Sequence, residues 1–175
     1  MSPYVAIVFI IICIFVFFGL VVFLGAPYVP SHKKDVTRVF EYLGLGSTDV
    51  LVDVGSGDGI ILRIAARYGA QAVGYEINPI LVGTARLLSL REPKVKVLLQ
   101  NFWHATVPKE TTLVYAFAVL RDEKKLINLL QGEANRHQKS IKLICYGSPF
   151  RSIPAIDTFE AYHIYIFQPL QLKNA

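Results

Sequence analysis

Cysteine is scarce in this chain. Of its 175 residues only Cys13 and Cys145 are cysteines, and they fall in an apolar run and in a predicted buried strand. That usage excludes a disulfide framework and fits a reducing compartment. The sequence also lacks an H-E-x-x-H pair, a G-x-x-x-x-G-K-[ST] loop and any Cys/His cluster with metal-ligand spacing. It is therefore expected to hold no metal and to be neither a zinc hydrolase nor a P-loop NTPase. Charge is missing from one end altogether, since no Asp, Glu, Lys or Arg precedes Lys33. The formal net charge of +5 thus belongs to the remainder, where Arg63, Arg67, Arg86, Lys94, Lys124 and Lys125 are scattered rather than massed. No nucleic-acid-binding arm is present, and no nucleic acid is expected as a partner. A scattered basic body suits an anionic membrane surface better.

What is abundant is apolar sequence. Hydrophobic residues make up 53% of the chain, concentrated between Val5 and Gly25. About 20 apolar residues at ~1.5 Å each span the roughly 30 Å hydrocarbon layer, so residues 1–25 read as a single transmembrane anchor. A signal peptide is the rival reading. Met1-Ser2-Pro3-Tyr4 carries no basic residue, and the run has no A-x-A exit, so the anchor is expected to remain uncleaved. Lys33 and Lys34 follow the run and nothing basic precedes it. The positive-inside rule then gives a single-pass membrane protein with the N-terminus outside and the body on the cytoplasmic side. Residues 26–34 form a juxtamembrane linker stiffened by Pro27 and Pro30, and residues 35–175 form the soluble domain.

Within that domain, strand and helix patterns alternate. A helix over Lys33–Leu43, with Ser31 as a candidate cap and Gly44 as stop, precedes a strand over Asp49–Val54. A helix over Gly59–Tyr68, capped by Asp58, leads to a strand over Ala72–Tyr75. Pro79 opens a helix reaching about Arg91. Further strands are expected at Val95–Leu99, Leu113–Val119, Ile141–Tyr146 and Tyr162–Phe167, with a helix over Asp122–Asn135. The strands are nearly continuous apolar runs, which predicts an α/β fold, a doubly wound and mostly parallel sheet with helices on both faces. No helix separates Gly147 from Thr158, so the final strand is expected to run antiparallel at the sheet edge.

The chemistry concentrates where the first strand meets its helix, at Asp53-Val54-Gly55-Ser56-Gly57-Asp58-Gly59. Glycines there let the backbone turn sharply and approach a ligand, and the helix N-terminus faces the bound molecule. A dinucleotide loop reads G-x-G-x-x-G; this one reads G-x-G-x-G with Ile60 in the last position. A carboxylate at Asp58 repels a pyrophosphate but suits a sulfonium and an ammonium, and Asp53 adds a second negative group. Glu76, at the end of the second strand, follows Asp58 by close to the roughly 20 residues expected of a carboxylate that grips ribose hydroxyls. These features favour S-adenosylmethionine over a nicotinamide cofactor. The bland reading of Glu76 is a surface acid.

At these residues the chain resembles the Rossmann-like, seven-strand class I S-adenosylmethionine-dependent methyltransferases. More narrowly, it resembles the membrane-anchored protein-lysine methyltransferases of mitochondrial inner-membrane proteins and their prokaryotic relatives. The resemblance rests on Pro27-Tyr28-Val29-Pro30-Ser31, on Leu51–Gly59, on Gly74-Tyr75-Glu76-Ile77-Asn78-Pro79 and on Asn101-Phe102-Trp103-His104. It implies that Asp53, Gly55, Gly57, Asp58 and Gly59 hold the methionine part of the cofactor, with Ser56 also cofactor-binding, Glu76 the ribose, and Asn101 and Phe102 the adenine. Tyr28, Pro30, Ser31 and Trp103 become candidates on the substrate side. The family's usual Asp-Leu-Trp-Lys differs here at Asn101 and His104.

The resemblance implies a membrane-anchored enzyme that methylates a lysine of a membrane protein, with the lipid bilayer as its second partner. A lipid-soluble acceptor such as a quinone or lipid, or a non-catalytic cofactor-binding role, stands beside that reading. No catalytic base is assigned. Trp103 reads either as a rim residue that contacts the acceptor amine or as packing, and His104 as a base or a solvated loop residue. After the fourth strand stands Val119-Leu120-Arg121-Asp122 in place of an Asn-Pro-Pro-Tyr-type motif, which argues against methylation of a nucleobase.

Overall fold

The computed structural model describes residues 2–24, 32–117 and 120–170, with the side chains of 17–24 and of 120 outside that description. The chain divides into two compact units, 1–30 and 31–175. The first holds α1, Pro3–Leu24, a helix of 22 residues without a charged residue. Its side chains are described through Val16, and within that limit no helix is long and apolar enough to cross a membrane. The candidates Tyr28, Pro30 and Ser31, including Ser31 as a cap, lie outside the described residues.

The second unit begins with α2 (Lys33–Tyr42) and alternates β1 (Val50–Val54), α3 (Ile60–Arg67), β2 (Gln71–Glu76), α4 (Pro79–Leu88) and β3 (Val95–Leu99). It continues through β4 (Leu113–Phe117), α5 (Glu123–His137), β5 (Ile141–Tyr146), β6 (Asp157–Phe159) and β7 (Tyr162–Phe167). The sheet has seven strands in the order β3-β2-β1-β4-β5-β7-β6. All pairs from β3 to β5 are parallel, and β7 is antiparallel to both neighbours. Apolar side chains alternate between two cores. On one face Val36, Val39 and Phe40 of α2, Leu62 and Ile64 of α3 and Val82 and Ala85 of α4 pack on Leu51, Ala72, Val97 and Leu113. On the other, Leu126, Leu130 and Ala134 of α5 pack on Val52, Tyr75, Val114, Leu143 and Tyr165. Burying a Leu or Val side chain contributes ~1.5–3 kcal/mol, so this two-sided burial, rather than helix propensity, holds the short helices in place.

Three expectations need correction. Tyr162–Phe167 does run antiparallel, but it is not the edge, because the three-residue β6 pairs outside it. Asp157-Thr158-Phe159 is too short and too polar to show a period. It is held by contacts with α2 instead: Tyr42 donates to Asp157 at 2.7 Å and stacks on Phe159 at 4.6 Å. The N-cap position of α3 is Gly59 in a left-handed conformation (φ 78°), one residue after Asp58, whose carboxylate nevertheless accepts from Ile60 N at 3.1 Å. And α4 ends at Leu88, short of Arg91, where Ser89 N donates back to Ala85 and Arg86.

Candidate functional site

In an open α/β sheet the strand order reverses at one point, and ligands bind outside the carboxyl ends of the strands there. Here the chain steps from β1 outward to β2 and β3, then returns to β4 on the other side of β1. The crevice therefore opens beyond Val54 and Phe117, and the glycine loop lies in it. The loop is fastened to the end of β2. Gly55 N and Ser56 N both donate to Tyr75 O, at 2.9 and 3.0 Å, and Gly59 N donates to Ser56 O at 2.8 Å. Gly55, Gly57 and Gly59 have φ of 81°, 54° and 78°, the left-handed region that only glycine enters freely.

Three carboxylates meet around this loop, with different partners. Glu76 is 8% exposed, so it is not the surface acid of the bland reading. One of its oxygens accepts from Gly57 N at 3.0 Å, and the other from Ile77 N and Asn78 N, both at 2.8 Å. A carboxylate offers about four lone-pair sites, so Glu76 fixes the loop and keeps acceptor capacity. Asp58 accepts from Ile60 N at 3.1 Å and pairs with Arg63 at 3.5 Å, whose guanidinium also donates to Asp58 O. Its charge is therefore partly neutralised from within the chain. Asp53 is 3% exposed and has no hydrogen-bond donor among the described residues. Burial first, then repulsion from Glu76 and Asp58, pushes its carboxyl up to about 8.

Loop residues expected to touch the cofactor do other work as well. The Ser56 side chain is buried with no partner for its hydroxyl among the described residues. It lies where a Cβ on Gly74 would stand, 2.4 Å from Ser56 Oγ and 2.5 Å from Leu62 Cδ1. Ser56 thus packs the loop down onto β2. A Cβ at Gly59 would stand 3.1 Å from Ala85 Cβ, so this glycine lets α3 and α4 approach.

Just beyond β3, Asn101 caps a short 3-10 helix, Phe102–His104, by accepting from Trp103 N at 3.0 Å. Phe102 is buried and packs edge-on against Tyr75 and Trp103, each at 5.6 Å. Trp103 is half-buried, and Lys125 Nζ sits 4.7 Å above its ring. The aromatic face therefore already accepts a lysine cation. His104 is exposed. Among the described residues no His/Cys/Asp/Glu group has the arrangement of a metal site.

Sequence reasoning missed Arg63, Lys125 and Glu123. Glu123, at the start of α5, accepts from Arg151 N, Ser152 N and the Ser152 hydroxyl. That hydroxyl bond, foremost, holds its carboxyl below the usual value. It pins the β5–β6 connection beside an open cleft lined by Arg121, Lys124, Lys125 and Arg151. Asp58 and Arg63 are five residues apart, outside the i,i+3 and i,i+4 helical spacings, and the other contacts are long-range.

The donor set fits a cationic cofactor. An ionisable carboxylate buried without a donor, a positive-φ glycine cradle and a second carboxylate with spare acceptor capacity converge at one strand end. Replacing Glu76 with Ala is expected to weaken S-adenosylmethionine binding by about 1.5–3 kcal/mol and to lower stability, because Gly57 N, Ile77 N and Asn78 N lose their acceptor. Glu76→Asp should lose less of both. Calorimetry with a thermal melt checks this, and wild-type values for Glu76→Ala would return the residue to a merely local role.

A family model for the methyltransferase domain matches residues 52–140. A Xenopus laevis protein whose name describes a lysine N-methyltransferase for an ATP synthase subunit is 35% identical over 127 residues, 71% of this chain and 54% of that protein. Its Homo sapiens counterpart is 37% identical over 115 residues, 62% of this chain and 48% of that protein. The chain thus spans about half the length of the curated relatives it matches. Among solved structures, an RNA methyltransferase from Salinibacter ruber in complex with S-adenosyl-L-homocysteine superposes with a TM-score of 0.67 at 28% identity, over 84% of this chain and 98% of that one.

Proposed function

Since the chain belongs to the methyltransferase domain family, matched over residues 52–140, we propose that it transfers a methyl group from S-adenosylmethionine to a lysine of a membrane protein, held at the membrane by α1. Its sheet is the seven-stranded sheet of S-adenosylmethionine-dependent methyltransferases. The observation that carries the reading is the buried Asp53 carboxylate beside the glycine loop and Glu76. The named lysine acceptors of the relatives support the substrate class, and the 22 uncharged residues of α1 support the anchor.

Bound there, the cofactor would supply an already activated methyl group on a sulfonium. Asp53, once ionised, offers the only carboxylate of the loop without a donor among the described residues and would hold the cationic methionine part. Glu76 would accept from ribose hydroxyls while keeping the loop closed. Asn101 retains an acceptor lone pair for the adenine amino group, and Phe102 gives that end an apolar wall. Trp103 would present the apolar edge of its ring to the aliphatic stem of the incoming lysine. No residue need act as a base if the amine arrives neutral, because alignment and exclusion of water supply most of the rate.

A nucleobase acceptor is the second reading, favoured by the RNA methyltransferase likeness and disfavoured by Val119-Leu120-Arg121-Asp122. The full chain in lipid nanodiscs, given methyl-labelled cofactor, should label a proteolipid whose lysine lies at the membrane boundary. Label recovered in RNA, or in the quinone and lipid extract, would contradict the lysine assignment.

A further inference from the structure

Helix α4 is apolar on the side that faces away from its own core. Its buried residues are Val82 and Ala85. At about 3.6 residues per turn, Ile80 and Leu87 fall on the opposite side and Leu88 on its flank; they are 49%, 67% and 52% exposed. Leu90, just beyond the helix, is 76% exposed, and Leu99 is 54% exposed. Strand alternation puts Leu99 on the same side of β3 as Val97, which belongs to the core shared with α4. β3 is the outer strand of the sheet, so this leucine surface occupies an open edge. An outward helix face in a soluble domain is ordinarily polar, and a group of large exposed apolar side chains marks an interaction site.

The charges beside it are mostly positive. Arg86 crosses from α4 to β3, where Nε and Nη2 both donate to Val97 O, at 3.0 and 2.8 Å, and it remains exposed. Arg91 is exposed and has no ion-pair or hydrogen-bond partner among the described residues. Lys94 is exposed and reaches Gly69 O at 2.6 Å. Between Ile77 and Gln100 the sole acid is Glu92.

We propose that the α4–β3 edge docks on an anionic lipid bilayer, with Leu87, Leu88 and Leu90 at the boundary of headgroups and acyl chains and Arg86, Arg91 and Lys94 against lipid phosphates. Leucines framed by cations are the chemistry that binds such an interface. A second copy is a poorer occupant, since a two-fold contact would set Arg91 and Lys94 against their own kind. The inference rests on the membrane-anchored reading only for the supply of a nearby bilayer, and it gives the catalytic domain its own lipid contact.

The test uses the full chain carrying Cys13→Ser and a fluorescent label at Leu90→Cys, in phosphatidylcholine vesicles with and without phosphatidylserine and with shallow spin-labelled lipid as quencher. Asn128→Cys, exposed on α5 over the other face of the sheet, is the control. Quenching at 90 should exceed quenching at 128 and should rise with phosphatidylserine. Arg91→Ala should lower the docking equilibrium about fivefold in the anionic vesicles. Equal quenching at both positions in every vesicle overturns the proposal while leaving the anchor intact. Energy transfer between labels without lipid quenching overturns it in favour of a second copy. Failure to float with vesicles overturns both the docking surface and the anchor.

Discussion

Asp53→Asn is expected to abolish measurable S-adenosylmethionine binding and, at the same time, to raise the melting temperature at pH 8. Both effects follow from one buried carboxyl that burial and two neighbouring acids push up to about 8. An acid whose folded pKa is raised binds its proton more tightly in the folded state than in the unfolded one. Stability therefore falls as pH rises from about 4 to about 8, by at most ~1.4 kcal/mol per pH unit. Asparagine has no such charge to bury. The variant should gain on the order of 2–3 kcal/mol at pH 8, roughly 5–10 °C, and its melting temperature should vary less with pH. In the wild type, cofactor affinity should rise about tenfold per unit from pH 6 towards 8, as the carboxylate becomes available to a cation. At pH 7 nearly one proton should be released per cofactor bound, as measured by calorimetry in buffers of different ionisation heat. Equal affinity at pH 6 and 8, or a less stable Asp53→Asn, would contradict this placement of the charge.

Gly74→Ala is expected to be nearly as damaging, though the residue lies inside β2 and carries no chemistry. Its new Cβ would stand 2.4 Å from Ser56 Oγ, 2.6 Å from Ser56 Cβ and 2.5 Å from Leu62 Cδ1. Leu62 is fully buried and cannot swing away, so the loop must lift. Overpacking of this kind costs about 1–3 kcal/mol. It should also remove cofactor binding, because lifting Ser56 breaks the bonds from Gly55 and Ser56 to Tyr75 O. Adding Ser56→Gly removes two of the three collisions and should restore part of both stability and affinity, a coupling that a double-mutant cycle reads directly. A Gly74→Ala protein that melts and binds as the wild type does would show that the loop does not rest on this glycine.

These two residues illustrate what was legible in the sequence. Asp53, Glu76 and the glycines stand at spacings fixed by one strand–loop–helix unit and one crossover, so local pattern revealed them, and the parallel sheet followed from continuous apolar strands. The pattern did not reveal that Asp58 is tied to Arg63 while Asp53 is left without a donor, because burial depends on which helices cover the strand end. It did not reveal β6, whose three residues owe their conformation to Tyr42 and β7. Nor did it reveal Lys125 over Trp103, since the two residues meet only when α5 folds against the β3–β4 connection. Trp103 could be placed near the rim from its position after β3, but its partner could not.

The most direct measurement is a calorimetric titration of the full chain, in lipid nanodiscs, with S-adenosylmethionine and separately with a nicotinamide dinucleotide, for the wild type and for Gly57→Val. Gly57 has φ 54° and its N–H donates to Glu76, so a β-branched side chain there both strains the loop and fills the space of ligand approach. A cofactor site built on this loop predicts saturable binding of S-adenosylmethionine by the wild type, no heat with the dinucleotide and none with Gly57→Val. Equal affinity of the wild type and Gly57→Val for S-adenosylmethionine, or preference for the dinucleotide, would contradict it.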